Sequence, residues 1–208
     1  APVRSTLLVP VSPASRSRRC RGLGHVPGLA RWVEGSSLHV YWQSVKYLAA
    51  IADRIRADFS FPEFTNTQNA DMAARIQGSN AISLHVRRGD YVALAAHVLC
   101  DQAYYEAALA RVLEGLEGTP TVFVFSDDPD WAKENLPLPC EKVVVDFNGP
   151  ATDFEAIRLM TLCQHNIIAN SSFSWWAAWL NQNPEKRVTG PAQWFGDPKL
   201  SNPDILPD

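Results

Sequence analysis

The sequence has no apolar run long enough to cross a membrane. The longest one near its start, Leu7–Val11, is interrupted by Pro10, whereas a spanning helix needs about 20 apolar residues. It also falls short of a signal-peptide core. A cytoplasmic protein of bacterial type is therefore expected, with membrane association at most peripheral to the inner membrane. Neither sign of charge is in excess: 19 basic and 22 acidic residues leave −3 with histidine neutral. A general nucleic-acid binder carries a basic surplus, so no nucleic acid is expected as a partner. The four cysteines, Cys20, Cys100, Cys140 and Cys163, form no Cys-x-x-Cys pair. Their spacing fits neither a zinc site nor a disulfide framework, and buried free thiols are expected. Several chemical motifs are missing too. There is no P-loop, no H-E-x-x-H and no G-x-S-x-G, and Gly22-x-Gly24 meets Pro27 where a dinucleotide fingerprint needs glycine.

What is present is the composition of a globular protein: 208 residues, 46% hydrophobic and 20% charged. At ~150 residues per domain this is one domain and part of another. Residues 1–38 read as an irregular leader, punctuated by four prolines, with Arg16, Arg18, Arg19 and Arg21 clustered. Residues 39–80 read as a helical remnant of an N-terminal domain or a linker, with a helix over Tyr41–Ala57 from Val45, Leu48, Ile51 and Ile55. Strand and helix patterns alternate over residues 81–195, within a third unit of residues 81–208. Ala81–Val86, Thr121–Phe125, Val143–Val145, Asn166–Ala169 and Arg187–Thr189 are short apolar strands. Helices fit Tyr104–Leu116, a stretch begun by Asp128-Pro129, a stretch begun by a Thr152-x-x-Glu155 capping box, and Phe173–Asn181. Strands apolar on both faces mean a parallel sheet between helices, an α/β Rossmann-like fold. Ligands bind such sheets beyond the carboxyl ends of the strands.

That rule points to four strand ends, Arg87–Asp90, Ser126–Asp128, Phe147–Gly149 and Asn170–Ser172, and three of them carry residues whose chemistry can be read. His85-Val86-Arg87-Arg88-Gly89-Asp90 follows the first strand. A guanidinium fork matches two phosphate oxygens, so one arginine can hold a pyrophosphate while the other pairs with Asp90 or another acid; alternatively both make structural ion pairs. Ser126-Asp127-Asp128 can accept from a ribose or a base, or can cap the following helix. Asn170-Ser171-Ser172 precedes a helix whose N-terminal N–H groups suit an anion. Trp175, Trp176 and Trp179 sit at helical spacing, for core packing or for stacking on sugar. Asp128-Pro129-Asp130 has the spacing of a metal pair, but Pro129 opens a helix there. Arginine rather than a metal ion would then meet the phosphate charge.

Four stretches in this order, Tyr41–Leu48 (YWQSVKYL), His85–Tyr91 (HVRRGDY), Phe125–Asp128 (FSDD) and Leu159–Leu180, resemble glycosyltransferase family 11, the α-1,2-fucosyltransferases. The similarity runs from about Val40 to Phe195. The resemblance implies a GT-B arrangement, of which residues 81–208 would be the C-terminal, GDP-sugar-binding half. It implies GDP-fucose as donor, a galactose-containing glycan accepting at O-2, inversion at the anomeric carbon, and neither cofactor nor metal. It implies Arg87 as diphosphate ligand, Arg88 in support and His85 beside the nucleotide. Ser126, Asp127 and Asp128 would lie near it, and Asn170, Ser171 and Ser172 at a second phosphate contact. Asp153 and Glu155 are candidates for reading guanine, and Asp90 and His97 for the general base. The family's Gly-Gly-Leu-Gly-Asn-Gln segment has only an echo in Arg21–His25, which implies a truncated or divergent N-terminal domain. The alternative is a non-catalytic GDP-sugar-binding remnant.

Overall fold

The computed structural model describes residues 17–19, 37–39, 44–64, 66–93, 100–196 and 204–205. Ser17–Arg19 (β1) runs parallel to Ser37–His39 (β2), so the stretch read as an irregular leader contains short paired strands. Five further strands form one sheet: Asn80–Val86 (β3), Pro120–Ser126 (β4), Glu141–Val145 (β5), His165–Ile167 (β6) and Val188–Thr189 (β7). Their order is β5-β4-β3-β6-β7, and every neighbouring pair is parallel. The chain begins in the middle of the sheet, builds outward through β4 and β5, then crosses back to the far side of β3. This is the Rossmann-like α/β fold that the strand pattern implied, with its switch point between β3 and β6.

Seven helices accompany the described strands: Val45–Leu48 (α1), Ala52–Asp58 (α2), Thr67–Gln77 (α3), Gln102–Leu113 (α4), Pro129–Asn135 (α5), Asp153–Thr161 (α6) and Ser172–Leu180 (α7). Successive strand residues point to opposite faces, and both faces are covered. Ile82, Leu84 and Val86 of β3 pack with Val122 and Val124 of β4 against Tyr105, Leu109 and Val112 of α4 and Ala132 of α5. Ala81, Phe123 and Phe125 point the other way, into a core with Ala73 and Ile76 of α3, Leu159 and Met160 of α6 and Ala177 of α7. Burial on both sides is why these strands read as unbroken apolar runs.

A third cluster joins Leu48 of α1 to Trp175, Trp179 and Leu180 of α7, together with Trp194 and Ile205. The Trp175 and Trp179 rings lie parallel with centroids 6.5 Å apart, and Trp175 Nε1 donates to the Ile205 carbonyl. These two tryptophans are core residues. Trp176, half-buried, stacks on exposed Phe59.

Two local expectations are corrected. The helix read over Tyr41–Ala57 begins, among the described residues, after the Ser44 cap, and a 3₁₀ turn at Ala49–Ile51 interrupts it. That turn separates α1 from α2 while both keep contact with the tryptophan cluster through Leu48, Ala52 and Ile55. The Thr152-x-x-Glu155 capping box does not form: the Thr152 side chain makes no cap bond. Its hydroxyl instead accepts from the Gly149 N–H at 3.0 Å and lies 3.2 Å from the Gly149 carbonyl, closing a tight turn. By contrast Asp128 caps α5, accepting from the Trp131 N–H at 3.2 Å with Pro129 at the first helical position.

Removing the fully buried Trp175 indole leaves a void that α1 and α7 cannot fill. Trp175→Ala is expected to cost about 3–5 kcal/mol, read as a lowered urea midpoint.

Candidate functional site

The carboxyl ends of β3, β4 and β5 open into a cleft closed on one side by the first turns of α6 and α7. It is lined by His85, Arg87, Phe125, Ser126, Asp127, Val145, Asn148, Asp153, Ala156 and Phe173, and encloses about 110 Å³. Pockets for drug-sized ligands run to about 300–1,000 Å³, so these elements alone enclose part of such a ligand.

The alternation and register of β3 and β4 assign its charged residues. β3 and β4 pair in register with His85 opposite Phe125 and Val86 opposite Ser126. Carried two residues further, that register sets Arg87 beside Asp127 and Arg88 beside Asp128, on opposite faces. The ion pairs follow it. Arg87 Nη1 lies 2.9 Å from Asp127 Oδ2, and Arg88 Nε donates to Asp128 Oδ2 at 3.3 Å. Arg88 also sits over the Trp131 ring of α5, 4.0 Å from its centroid, and is the more buried of the two side chains, 19% exposed against 32%. The two arginines therefore separate: Arg87 lines the cleft, and Arg88 is built into the α5 side of the sheet.

Asp127 ties the turn together. Its Oδ1 accepts from the Arg88 backbone N–H at 2.9 Å while Oδ2 holds Arg87. A Cβ on Gly89 would run into that same Oδ2, so a larger residue here would push the Asp127 carboxylate aside. Arg87 Nη2 donates to Asp90 Oδ1 at 2.6 Å, and its guanidinium lies 5.1 Å from the Tyr91 ring centroid. The Tyr91 hydroxyl donates to the Asn170 carbonyl at 3.2 Å.

His85 points from β3 into the floor of the cleft, packed against Phe173 with ring centroids 5.4 Å apart. It is buried, and its Nδ1 has no hydrogen-bond partner among the described residues. Burial, reinforced by the Arg87 charge, pushes its pKa down to about 3. A neutral imidazole of that kind is a poor proton acceptor.

The other predicted residues fall as follows. Ser126 lines the cleft, and its hydroxyl accepts from the Asp128 N–H at 2.9 Å. Asp128 lies outside the lining as a helix cap. Asn170, Ser171 and Ser172 do not line the cleft either; from that segment Phe173 does. Asn170 is buried, its amide donating to the Trp194 carbonyl at 3.0 Å and accepting from Cys100. Ser171 caps α7 by accepting from the Phe173 N–H, and Ser172 is exposed on its first turn. His97 lies outside the described residues. Of the two guanine-reading candidates, Asp153 is exposed in the cleft wall. Glu155 is buried, 3.5 Å from Arg158.

Sequence reasoning pointed to the strand end holding Asn148 but gave that residue no role, and it missed Val145, Ala156 and Phe173 as lining residues. Asn148 is held by reciprocal amide bonds with Asn69 of α3, at 3.0 and 2.9 Å. No local motif marks a pairing across 79 residues. The parity of β3, with His85 and Arg87 on one face and Arg88 on the other, was an available signal. Among the described residues no group of three or more His, Cys, Asp or Glu could hold a metal ion, and no helix is long and apolar enough to cross a membrane.

This cleft lies at the carboxyl edge of a parallel sheet, with an arginine on its rim, in a Rossmann-like α/β fold. Comparison with known proteins gives the family. The model for glycosyl transferase family 11 matches residues 35–202, and the chain belongs to that family. It is 35% identical over 171 residues to the O-antigen biosynthesis glycosyltransferase WbnK of Escherichia coli, covering 77% of this chain and 56% of the relative. It is 34% identical over 173 residues to an alpha-1,2-colitosyltransferase of Escherichia coli, covering 81% and 59%. A galactoside alpha-(1,2)-fucosyltransferase 2 of Mus musculus matches at 37% over 112 residues, half of this chain and 31% of the relative. The chain thus spans little more than half the length of the bacterial relatives it matches.

The buried histidine has a consequence for acid stability. Above pH ~6.5 His85 is neutral in both folded and unfolded chains and contributes no pH dependence. Below that, the unfolded chain takes up a proton that the folded chain refuses until about pH 3. Stability is therefore expected to fall as pH drops through this window. Urea unfolding of wild type and His85→Gln at pH 7 and pH 4.5 checks it: the variant should lose less stability on acidification.

Proposed function

We propose that this chain provides the donor-binding half of an inverting glycosyltransferase that moves L-fucose from GDP-fucose to O-2 of a galactose-containing glycan. The observation that carries the reading is Arg87, a permanently charged fork on the rim of the cleft at the carboxyl end of β3. Family membership and the names of the relatives support the reaction class.

In this reading Arg87 binds the diphosphate, and the N–H groups at the start of α7, near Ser171 and Ser172, add to it. Asp153, exposed in the first turn of α6, accepts from the guanine N–H groups. His85 and Phe173 pack against the nucleotide as an apolar floor. The acceptor hydroxyl oxygen bonds to fucose C1 as the bond from C1 to the β-phosphate oxygen breaks, and the electron pair leaves with GDP. Arg87 stabilises the charge growing on that oxygen, a preorganised electrostatic contribution, and no metal or other cofactor is required. The hydroxyl proton passes to a base, with Asp90 and His97 as the proposed acceptors. His85 is unsuited, being buried and weakly basic. The enzyme would work in the cytoplasm, at most peripherally on the inner membrane.

Calorimetric titration with GDP tests the binding half. Arg87→Ala should lower GDP affinity at least tenfold while leaving the thermal unfolding transition in place, and normal GDP binding by this variant would remove the reading's basis. Asp153→Asn should reduce the preference for GDP over ADP, measured as the ratio of dissociation constants. A GDP-release assay with GDP-fucose and lactose tests turnover. Because one relative is a colitosyltransferase, a colitose-bearing nucleotide is the second donor to assay. GDP binding without turnover would mark this chain as a nucleotide-sugar-binding unit only.

A further inference from the structure

We propose that the two carboxylates on Arg87 have opposite functions: Asp127 is a positioning residue that holds the guanidinium for a diphosphate, and Asp90 is a place-holding anion that the diphosphate must displace. The proposal rests on the reading of Arg87 as diphosphate ligand and deepens it.

The argument begins with charge. Asp127 Oδ2 lies 2.9 Å from Arg87 Nη1, and Asp90 Oδ1 accepts from Nη2 at 2.6 Å. Two carboxylates on one guanidinium leave the cluster negative, and both terminal nitrogens are already engaged. A diphosphate approaching the same fork meets repulsion unless one carboxylate withdraws.

Geometry says which one does. Asp127 stands at the end of β4, in register with Arg87, and is 24% exposed. It also accepts from the Arg88 N–H and is backed against Gly89, whose added Cβ would strike it. Moving it would unmake the turn that carries Arg87. Asp90 lies in the 3₁₀ turn Asp90–Ala93 and is 58% exposed. Its one ion pair among the described residues is with Arg87, three residues away, and an exposed pair of that kind is weak. When Asp90 swings out, Nη2 is released to a phosphate oxygen. Asp127 and the Tyr91 ring, itself anchored to the Asn170 carbonyl, keep the guanidinium in place.

Electrostatics without a place-holder predicts something different. Deleting either carboxylate makes the site more positive, so both deletions would tighten GDP binding. The proposal predicts opposite signs. In calorimetric titrations of the 208-residue chain with GDP at fixed ionic strength, Asp90→Ala should bind about two- to fivefold tighter, the scale of one exposed ion pair. Asp127→Asn, which keeps an oxygen for the Arg88 N–H, should bind roughly tenfold weaker, the scale of one charge-assisted hydrogen bond. Gly89→Ala, which pushes the Asp127 carboxylate aside with the charge unchanged, should also bind weaker. The gain from Asp90→Ala should vanish in the Arg87→Ala background, which a structural role for Asp90 would not produce. Tighter binding by Asp127→Asn, or no gain from Asp90→Ala while Arg87→Ala is impaired, overturns the inference alone. Unimpaired binding by Arg87→Ala, or no GDP binding by the wild-type chain, overturns the reading beneath it.

Discussion

Everything at the site depends on one register: β3 and β4 run parallel, with His85 beside Phe125 and Val86 beside Ser126. Two steps further the strands end, but the pairing continues through side chains, Arg87 to Asp127 and Arg88 to Asp128. Strand alternation puts the first pair on the face of α6 and α7 and the second on the face of α5. A slip of one residue would exchange them, sending Arg88 to the cleft and Arg87 over Trp131. The long apolar runs of both strands prevent that slip, because it would also exchange the residues that fill two different cores. Hydrophobic packing thus determines which arginine faces the cleft.

The same frame explains how charge is tolerated at the end of a buried strand. An unpaired guanidinium there is costly, and each arginine is met by a carboxylate from the neighbouring strand. The difference lies in what else surrounds them. Arg88 has an aromatic ring beneath it and a helix-capping acid beside it, which complete its environment. Arg87 has an open cleft on one side, with an exposed carboxylate across it. His85, two residues earlier on the same face, is held neutral by burial and by the Arg87 charge. The floor of the cleft is apolar and its rim is ionic, a combination suited to a flat base and a charged linkage.

The family 11 match covers residues 35–202. The match takes in the Rossmann-like sheet and the tryptophan cluster that welds α1 and α2 onto α7. Trp175 and Trp179 are structural cement here. By anchoring α7 they fix the first turn of that helix, and with it Phe173, at the edge of the cleft.

The amino-acid sequence by itself determined the class of fold and the address of the site. Unbroken apolar strands alternating with helices admit few arrangements other than a covered parallel sheet, and such a sheet exposes its strand ends. Pro129 after Asp128 marked the start of α5 because a proline at the first helical turn loses no hydrogen bond. Tertiary structure decided what local pattern leaves degenerate. Adjacent arginines and adjacent aspartates have equal standing in a sequence, and only the faces on which α5, α6 and α7 pack distinguish them. Thr152 had the spacing of a cap, yet the turn at Gly149 claimed its hydroxyl. Asn148 reached the cleft wall through Asn69, a partner that only folding brings near. Composition and spacing report each residue's own chemistry, whereas its role depends on which neighbours compete for the same hydrogen bond or charge.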